Sequence, residues 1–164
     1  LDRVAVTVGP GSFTGLRVGM AFAKGLGLAV DRPVVGVTSL AALAASVDCR
    51  GLVAAVIDAR RGQLYLQIFL DGRAIMAPDA LSAETAAARL AELWRGGPAQ
   101  IVGPGAQMLA GILHGAEINP LPAADPVALA RLAMAAPLTP PRPLYLRAPD
   151  AKLPGGIIPP GFDQ

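Results

Sequence analysis

The sequence predicts an α/β fold, and three observations carry that expectation. From Val4 to Ala29 the chain reads VAVTVGPGSFTGLRVGMAFAKGLGLA: alternating β-branched residues, a glycine-proline turn and a helical stretch. Val34 to Val37 is a short apolar run after the turn Asp31-Arg32-Pro33, completing a strand–helix–strand unit. The handedness rule makes that crossover right-handed and its strands parallel. From Leu52 to Met76, apolar runs separated by turn residues read as an antiparallel meander.

Each element has its own signals. Ser12 caps the first helix, with Thr14 as a second candidate for the same duty. Within that helix Gly15, Gly19, Ala23 and Gly27 recur every four residues and leave one ridge nearly bare. Interior glycine costs roughly 0.5 to 1 kcal/mol relative to alanine, so the ridge calls for a compensating close approach by another backbone. Val18, Phe22 and Leu26 flank it. The spacing therefore marks a docking surface, within the fold or between chains, where Gly15, Gly19 and Ala23 admit a partner helix and Leu16, Met20 and Phe22 supply apolar grip.

Thr38 or Ser39 caps a second helix reaching about Val47, and Asp48 to Gly51 links it to the next unit. A strand over Leu52 to Ile57 ends at Asp58-Ala59-Arg60-Arg61-Gly62. There Asp58 and Arg60 read as a local ion pair or turn cap. Gln63 to Leu70 is the next strand, Asp71-Gly72 a turn of positive φ, and Arg73 to Met76 a third strand. Ser82 caps a helix from Ala83 to Trp94, with Glu84 in its first turn and Trp94 as a core or interface residue.

Gln100 to Val102 is a short strand entering Gly103-Pro104-Gly105, an echo of Gly9-Pro10-Gly11, and a helix from Ala106 to Leu113 follows. Asp125 with Pro126 starts a helix over Val127 to Ala136. Pro137, Pro140, Pro141 and Pro143 make a stiff connector, and Leu144 to Arg147 adds a strand. The tail from residue 149, rich in proline and glycine, reads as disordered or draped on a partner.

Composition excludes several functions. Hydrophobic residues make up 53% and charged residues 16% of 164 positions, enough apolar material for one domain or two small ones. A net charge of +2 with no basic run gives no polybasic nucleic-acid surface, so direct nucleic-acid binding by this chain alone is not expected, and a composite surface with a partner is the remaining route. One cysteine, Cys49, forms no internal disulfide and suits a cytoplasmic protein; one histidine, His114, leaves no zinc cluster and no H-E-x-x-H helix. The sequence has no 18-residue apolar run to span a membrane, and its opening Leu1-Asp2-Arg3 does not read as a signal peptide.

The turn GPGSFTG lacks the Lys-Ser or Lys-Thr of a Walker loop, and Gly9, Gly11 and Gly15 miss the G-x-G-x-x-G spacing. It lacks the G-x-S-x-G elbow as well, which removes Ser12 as a hydrolase nucleophile. A structural turn is favoured, with an anion at Gly9, Gly11, Ser12 and Thr14 as the rival reading.

GPGSFTGLRVGMAFAKGLGLA with the following PVVGVTSL, AVIDARRGQLYL from Ala55 to Leu66 and PLYLR from Pro143 to Arg147 occur in one order. On these stretches the chain resembles the TsaB, or YeaZ-type, family of bacterial tRNA threonylcarbamoyladenosine synthesis. That resemblance implies a two-lobed fold of the actin, Hsp70 and sugar-kinase (ASKHA) type. An incomplete first lobe would span residues 1–50, a second 51–148 and the tail 149–164. The chain would be clipped at its start, without the Asp-Thr-Ser type turn of the family, and Gln63 stands where relatives often carry an acid. The resemblance further implies a non-catalytic subunit that works with the transferase TsaD and the ATPase TsaE, meets tRNA only through that complex, self-associates, and uses the helix from Thr14 to Ala29 for pairing. No tightly bound cofactor is expected, only weak ATP or ADP at a partner interface. A nucleotide-binding enzyme or regulator is the alternative, and a metalloprotease ranks last.

Overall fold

The computed structural model describes residues 1–147 and shows two sheets with helices on both faces of each. The first sheet pairs β1 (Val4–Thr7) with β2 (Val34–Val37) in parallel, Val4 opposite Val34 and Thr7 opposite Val37. The connecting helix α1 (Phe13–Ala29) covers one face: Met20 and Ala23 pack with Val6 and Val8. The opposite face takes α4 (Pro126–Ala135), whose Ala133, Leu129 and Leu132 meet Val37 and Ala5. Strand alternation therefore serves two helices that lie far apart in the chain.

The second sheet is built on the antiparallel pair β3 (Leu52–Arg60) and β4 (Gln63–Leu70). β7 (Ala99–Val102) and then β8 (Glu117–Asn119) continue it in parallel beyond β3. β5 (Arg73–Ala74) and β6 (Asp79–Ser82) share the outer edge of β4. Leu52, Ala54 and Val56 face a core with Leu64, Leu66 and Ile68, closed by Ala86 and Leu90 of α3 (Ala83–Leu93) and by Leu109. Val53, Ala55, Phe69 and Val102 face the other way, onto Leu40 and Leu43 of α2 (Ser39–Ala44). Burial on both faces is why β3 reads as an unbroken apolar run.

The expected caps form. Ser12 accepts from the Gly15 amide at 3.3 Å, Thr38 from Ala41 at 3.2 Å, and Ser82 from Thr85 at 3.2 Å. Asp125 accepts from Val127 and Ala128, with Pro126 at the first helical position. Each satisfies an amide that the helix itself leaves open. Asp71 (φ 48°) and Gly72 (φ 76°) make the expected hairpin turn.

Several elements differ from expectation. β3 runs on to Arg60, because Asp58 and Arg60 stay paired on either side of a bulge at Ala59 and the turn shrinks to Arg61 (φ 54°) and Gly62 (φ 74°). β5 stops at Ala74, and α2 at Ala44. The stretch after Gly105 is a 3₁₀ turn over Ala106–Leu109, without a side-chain cap to nucleate a longer helix. Leu144 to Arg147 is no strand: with Pro143 lacking an amide, the backbone bond that ties this stretch to the first sheet among the described residues is the Leu144 amide donating to the Val8 carbonyl, just beyond β1, at 2.7 Å. β6 and β8 were not expected at all. Trp94 packs against the α3-side core and its Nε1 donates to the Gly97 carbonyl. The expected tail lies outside the described residues.

Candidate functional site

The three stretches that carry the family resemblance lie far apart in sequence and converge on one cleft of about 350 Å³. Its walls are Pro10 to Phe13 ahead of α1, Ile57 to Arg60 with Tyr65 from the β3–β4 hairpin, and Leu144 to Arg147. Close backbone contacts hold these walls. Gly9, at φ +107°, has no side chain, and a Cβ built there would fall 2.6 Å from the Leu144 carbonyl oxygen. The Gly9 carbonyl in turn accepts from the Ser39 amide at 2.8 Å, tying the turn to α2. The second glycine-proline-glycine turn does similar work beneath β3: a Cβ at Gly103 would meet the Val56 carbonyl at 2.4 Å, and one at Gly105 the Asp58 amide at 2.9 Å.

Three polar side chains of the cleft, those of Ser12, Asp58 and Arg147, hold backbone. Ser12 Oγ caps α1, and the Asp58 carboxylate accepts from the Arg60 amide at 2.7 Å, so the Asp58–Arg60 pair acts as a turn cap. Arg147 Nη1 donates to the Ala59 carbonyl and clamps the third motif to the bulge. Across the cleft Arg17 lies 3.7 Å above the Phe13 ring centroid and donates from Nε to Tyr145 Oη at 3.2 Å, while the Phe13 and Tyr145 centroids are 5.1 Å apart. A cation seated on an aromatic face gains roughly 0.5 to 1 kcal/mol at such an exposed site. Gly11 and Ser12 line the cleft; Gly9 and Thr14 do not form its wall, and Thr14 is exposed. Among the described residues no group of three or more His, Cys, Asp and Glu could hold a metal ion.

The docking ridge divides along its length. Residues four apart rotate by roughly 40° on a helix, so three such steps turn roughly 120°. Gly15 starts the series exposed, whereas Ala23 and Gly27 end it buried against the chain's own sheet. A Cβ at Gly27 would strike Val34 Cγ2 at 2.5 Å, so its close approach is internal; around Gly19 there is nothing within 4 Å. Leu16 and Met20, expected to grip a partner, are 7% and 6% exposed: Met20 packs with Ala23 onto Val6 and Val8, and Leu16 lies against the Gly9 turn. Phe22 is the outward member of that set at 72% exposed, in a row with Val18 at 64% and Leu26 at 41%. The outward apolar face is thus Val18, Phe22 and Leu26 beside Gly15 and Gly19.

Sequence reasoning missed the Arg17–Phe13–Tyr145 group and the Arg147 clamp. Their one signal was the presence of PLYLR as a motif, which gives no hint of what it touches.

Comparison with known proteins agrees with this geometry. The family model described as TsaD, tRNA N6-adenosine threonylcarbamoyltransferase, matches residues 1–101. The Bacillus subtilis tRNA threonylcarbamoyladenosine biosynthesis protein TsaB is 43% identical over 70 residues, 42% of this chain and 31% of that protein. The chain thus matches about a third of that relative. A Mycobacterium tuberculosis protein is 39% identical over 158 residues, covering 93% of this chain and 67% of its own length. The solved structure of YeaZ from Pseudomonas aeruginosa superposes with a TM-score of 0.69 at 30% identity, covering 89% of this chain and 74% of that one. Its ASKHA-like fold is the architecture expected from the motifs. With its three motifs folded onto one cleft and this likeness extending over most of its length, the chain belongs to the TsaB/YeaZ-type family.

Proposed function

We propose that the chain acts in the formation of threonylcarbamoyladenosine in tRNA, as a non-catalytic scaffold subunit working with a TsaD-type transferase and a TsaE-type ATPase. The assembly would move the threonylcarbamoyl group from threonylcarbamoyl-AMP to the N6 amine of the adenosine beside the anticodon. The observation that carries this reading is the outward face of α1. Phe22 is 72% exposed on a helix whose opposite side is already packed, and Val18 and Leu26 extend the same stripe. An apolar row flanked by the open Gly19 suits close helix-on-helix packing.

The occupant we assign to it is the equivalent helix of a TsaD-type partner. The transferase family model matches residues 1–101, a span that contains α1, so like helices can pair in a near-twofold arrangement. The cleft supports an accessory role, since Ser12 and Asp58 are committed to capping and turn formation. Any ATP or ADP would bind weakly and at the partner interface, and the setting would be the cytoplasm.

The test is threonylcarbamoyl transfer to tRNA by TsaD and TsaE with and without the chain, alongside partner affinity for Phe22→Asp and Gly19→Leu proteins that fold normally. Transfer that depends on the chain, with affinity lost in both variants, is the expected result. Self-association through this face with no transferase binding would replace the partner with a second copy. Saturable, tight ATP binding by the lone chain would favour the nucleotide-binding alternative.

A further inference from the structure

The docking face of α1 continues beyond the helix itself. Successive helical residues turn by about 100°, which puts Arg17 on one rim of that face, with Thr14 and Ala21 between it and the row of Val18 and Phe22. All five are exposed. Phe13 stands one turn ahead of Arg17, and Tyr145 reaches the same rim from a stretch 128 residues further along the chain. Exposed aromatic and apolar surface thus runs from Tyr145 and Phe13 to Phe22 and Leu26, along roughly 20 Å of helix.

Arg17 is held on this rim twice. Its guanidinium lies 3.7 Å over the Phe13 ring, and its Nε donates to Tyr145 Oη at 3.2 Å. Those contacts use the flat face and Nε, and among the described residues no carboxylate pairs with Nη1 or Nη2. A guanidinium fixed before binding loses less side-chain freedom when a partner arrives, and its two remaining nitrogens match the two oxygens of a carboxylate. The support is itself accessible, with Phe13 37% and Tyr145 39% exposed. Arginine and tyrosine are among the residue types that dominate binding energy at protein interfaces.

Charge narrows what can meet this rim. From Phe13 to Ala29 the helix carries Arg17 and Lys24 and neither Asp nor Glu. Lys24 is exposed two turns beyond Arg17 on the same rim, in a groove it shares with Asp31 and Arg32. The α1 helix of a second copy would offer two more cations and no carboxylate, a repulsive element against self-pairing through this edge.

We infer that the docking surface is a composite of α1 and Tyr145, and that Arg17 is its polar anchor, taking a carboxylate of the TsaD-type partner. Tyr145 is a positioning residue that acts through Arg17. The inference rests on the α1 docking reading above and adds to it the chemistry of the contact and the role of the third motif.

The experiment is calorimetric titration of a TsaD-type transferase with the full chain, at low and at physiological salt, with the melting temperature of each variant as the check on folding. Arg17→Gln should bind about 30-fold more weakly, as truncation of an interface anchor does. Added salt should weaken the wild type more than Arg17→Gln. Arg17→Lys keeps the charge without the planar fork and should fall between the two. Tyr145→Phe keeps the ring, loses only the hydroxyl, and should cost about 5-fold. In the Arg17→Gln background the same change should add almost nothing, because the residue it positions is gone. Arg95→Gln, beyond α3, should match the wild type.

Wild-type affinity in Arg17→Gln, additive losses in the double variant, or an equal loss in Arg95→Gln would each overturn the inference. So would self-association that depends on Arg17 while transferase binding ignores it. Transferase binding that is sensitive to Phe22→Asp but indifferent to Arg17 and Tyr145 would leave the docking reading standing and remove only this anchor. No binding by the wild type would remove both.

Discussion

The Leu144 amide donates to the Val8 carbonyl at 2.7 Å, so the last of the three motifs closes onto the first strand where that strand enters its glycine turn. Gly9 permits this contact, since any larger residue would meet Leu144 at once. Gly9→Ala would set a methyl 2.6 Å from the Leu144 oxygen and 2.9 Å from Leu16 Cδ1, at a backbone angle of φ +107°. The expected loss is about 2 to 4 kcal/mol in denaturant unfolding, accompanied by faster amide exchange at Leu144. Unchanged stability and exchange would show that the two motifs are not held by this approach.

Gly27 and Gly25, neighbours near the end of α1 that face opposite ways, should respond in opposite directions. Gly27→Ala places a Cβ 2.5 Å from Val34 Cγ2 and 2.9 Å from the Arg32 carbonyl, and should destabilise by about 1 to 3 kcal/mol. Gly25→Ala enters open space and should stabilise by roughly 0.5 to 1 kcal/mol through helix propensity alone. Thermal or urea unfolding of the pair checks both signs, and a common sign would contradict the packing described for α1.

Arg3 reaches from the start of the chain to the last turn of α4, donating from Nη1 to the Ala133 carbonyl at 2.7 Å and the Ala136 carbonyl at 3.3 Å. A guanidinium at a helix C-terminus satisfies open carbonyls and opposes the helix dipole. Arg3→Met keeps the aliphatic stem and removes both bonds, for an expected cost of about 1 to 2 kcal/mol. Hydrogen exchange should rise first at Ala136, whose amide bonds back into the helix.

Burial pushes the Cys49 thiol above its ordinary range, and Glu117, Asp71 and Asp48 push it further in the same direction. A raised folded pKa means that the native state holds the thiol proton more tightly than the unfolded chain. Its contribution to stability is present below the unfolded pKa and is lost as pH rises through the folded one. Iodoacetamide should therefore alkylate native Cys49 more slowly than the urea-unfolded chain near about pH 8.5. Cys49→Ala should flatten the alkaline side of the stability curve. Equal rates in the two states would argue against a shielded thiol.

What the sequence disclosed follows from range. Caps at Ser12, Thr38, Ser82 and Asp125 depend on bonds across three residues or fewer, and each was legible before the fold was known. β6 and β8 were not, since Asp79–Ser82 and Glu117–Asn119 each hold a single large apolar residue and so no alternation, and they become strands by pairing with the open edges of β4 and β7. For the same reason, the inward turn of Leu16 and Met20 was hidden: spacing identifies a stripe on a helix, while the slow rotation of that stripe matters only against a particular sheet. The cleft is the extreme case. Its motifs were visible as motifs, but the clamp from Arg147 to Ala59 and the stack of Arg17, Phe13 and Tyr145 are created by tertiary closure.

The position of α4 also bears on how the molecule is made. Val37 and Ala5 are covered by Leu129, Leu132 and Ala133, residues the ribosome adds long after the strands they cover. During synthesis β1, α1 and β2 can assemble early, but one side of that sheet stays wet and sticky until the chain has passed residue 136. Nascent protein would meanwhile present an apolar strip to whatever chaperone waits at the exit tunnel, and chains stalled between β8 and α4 should be the ones most inclined to clump.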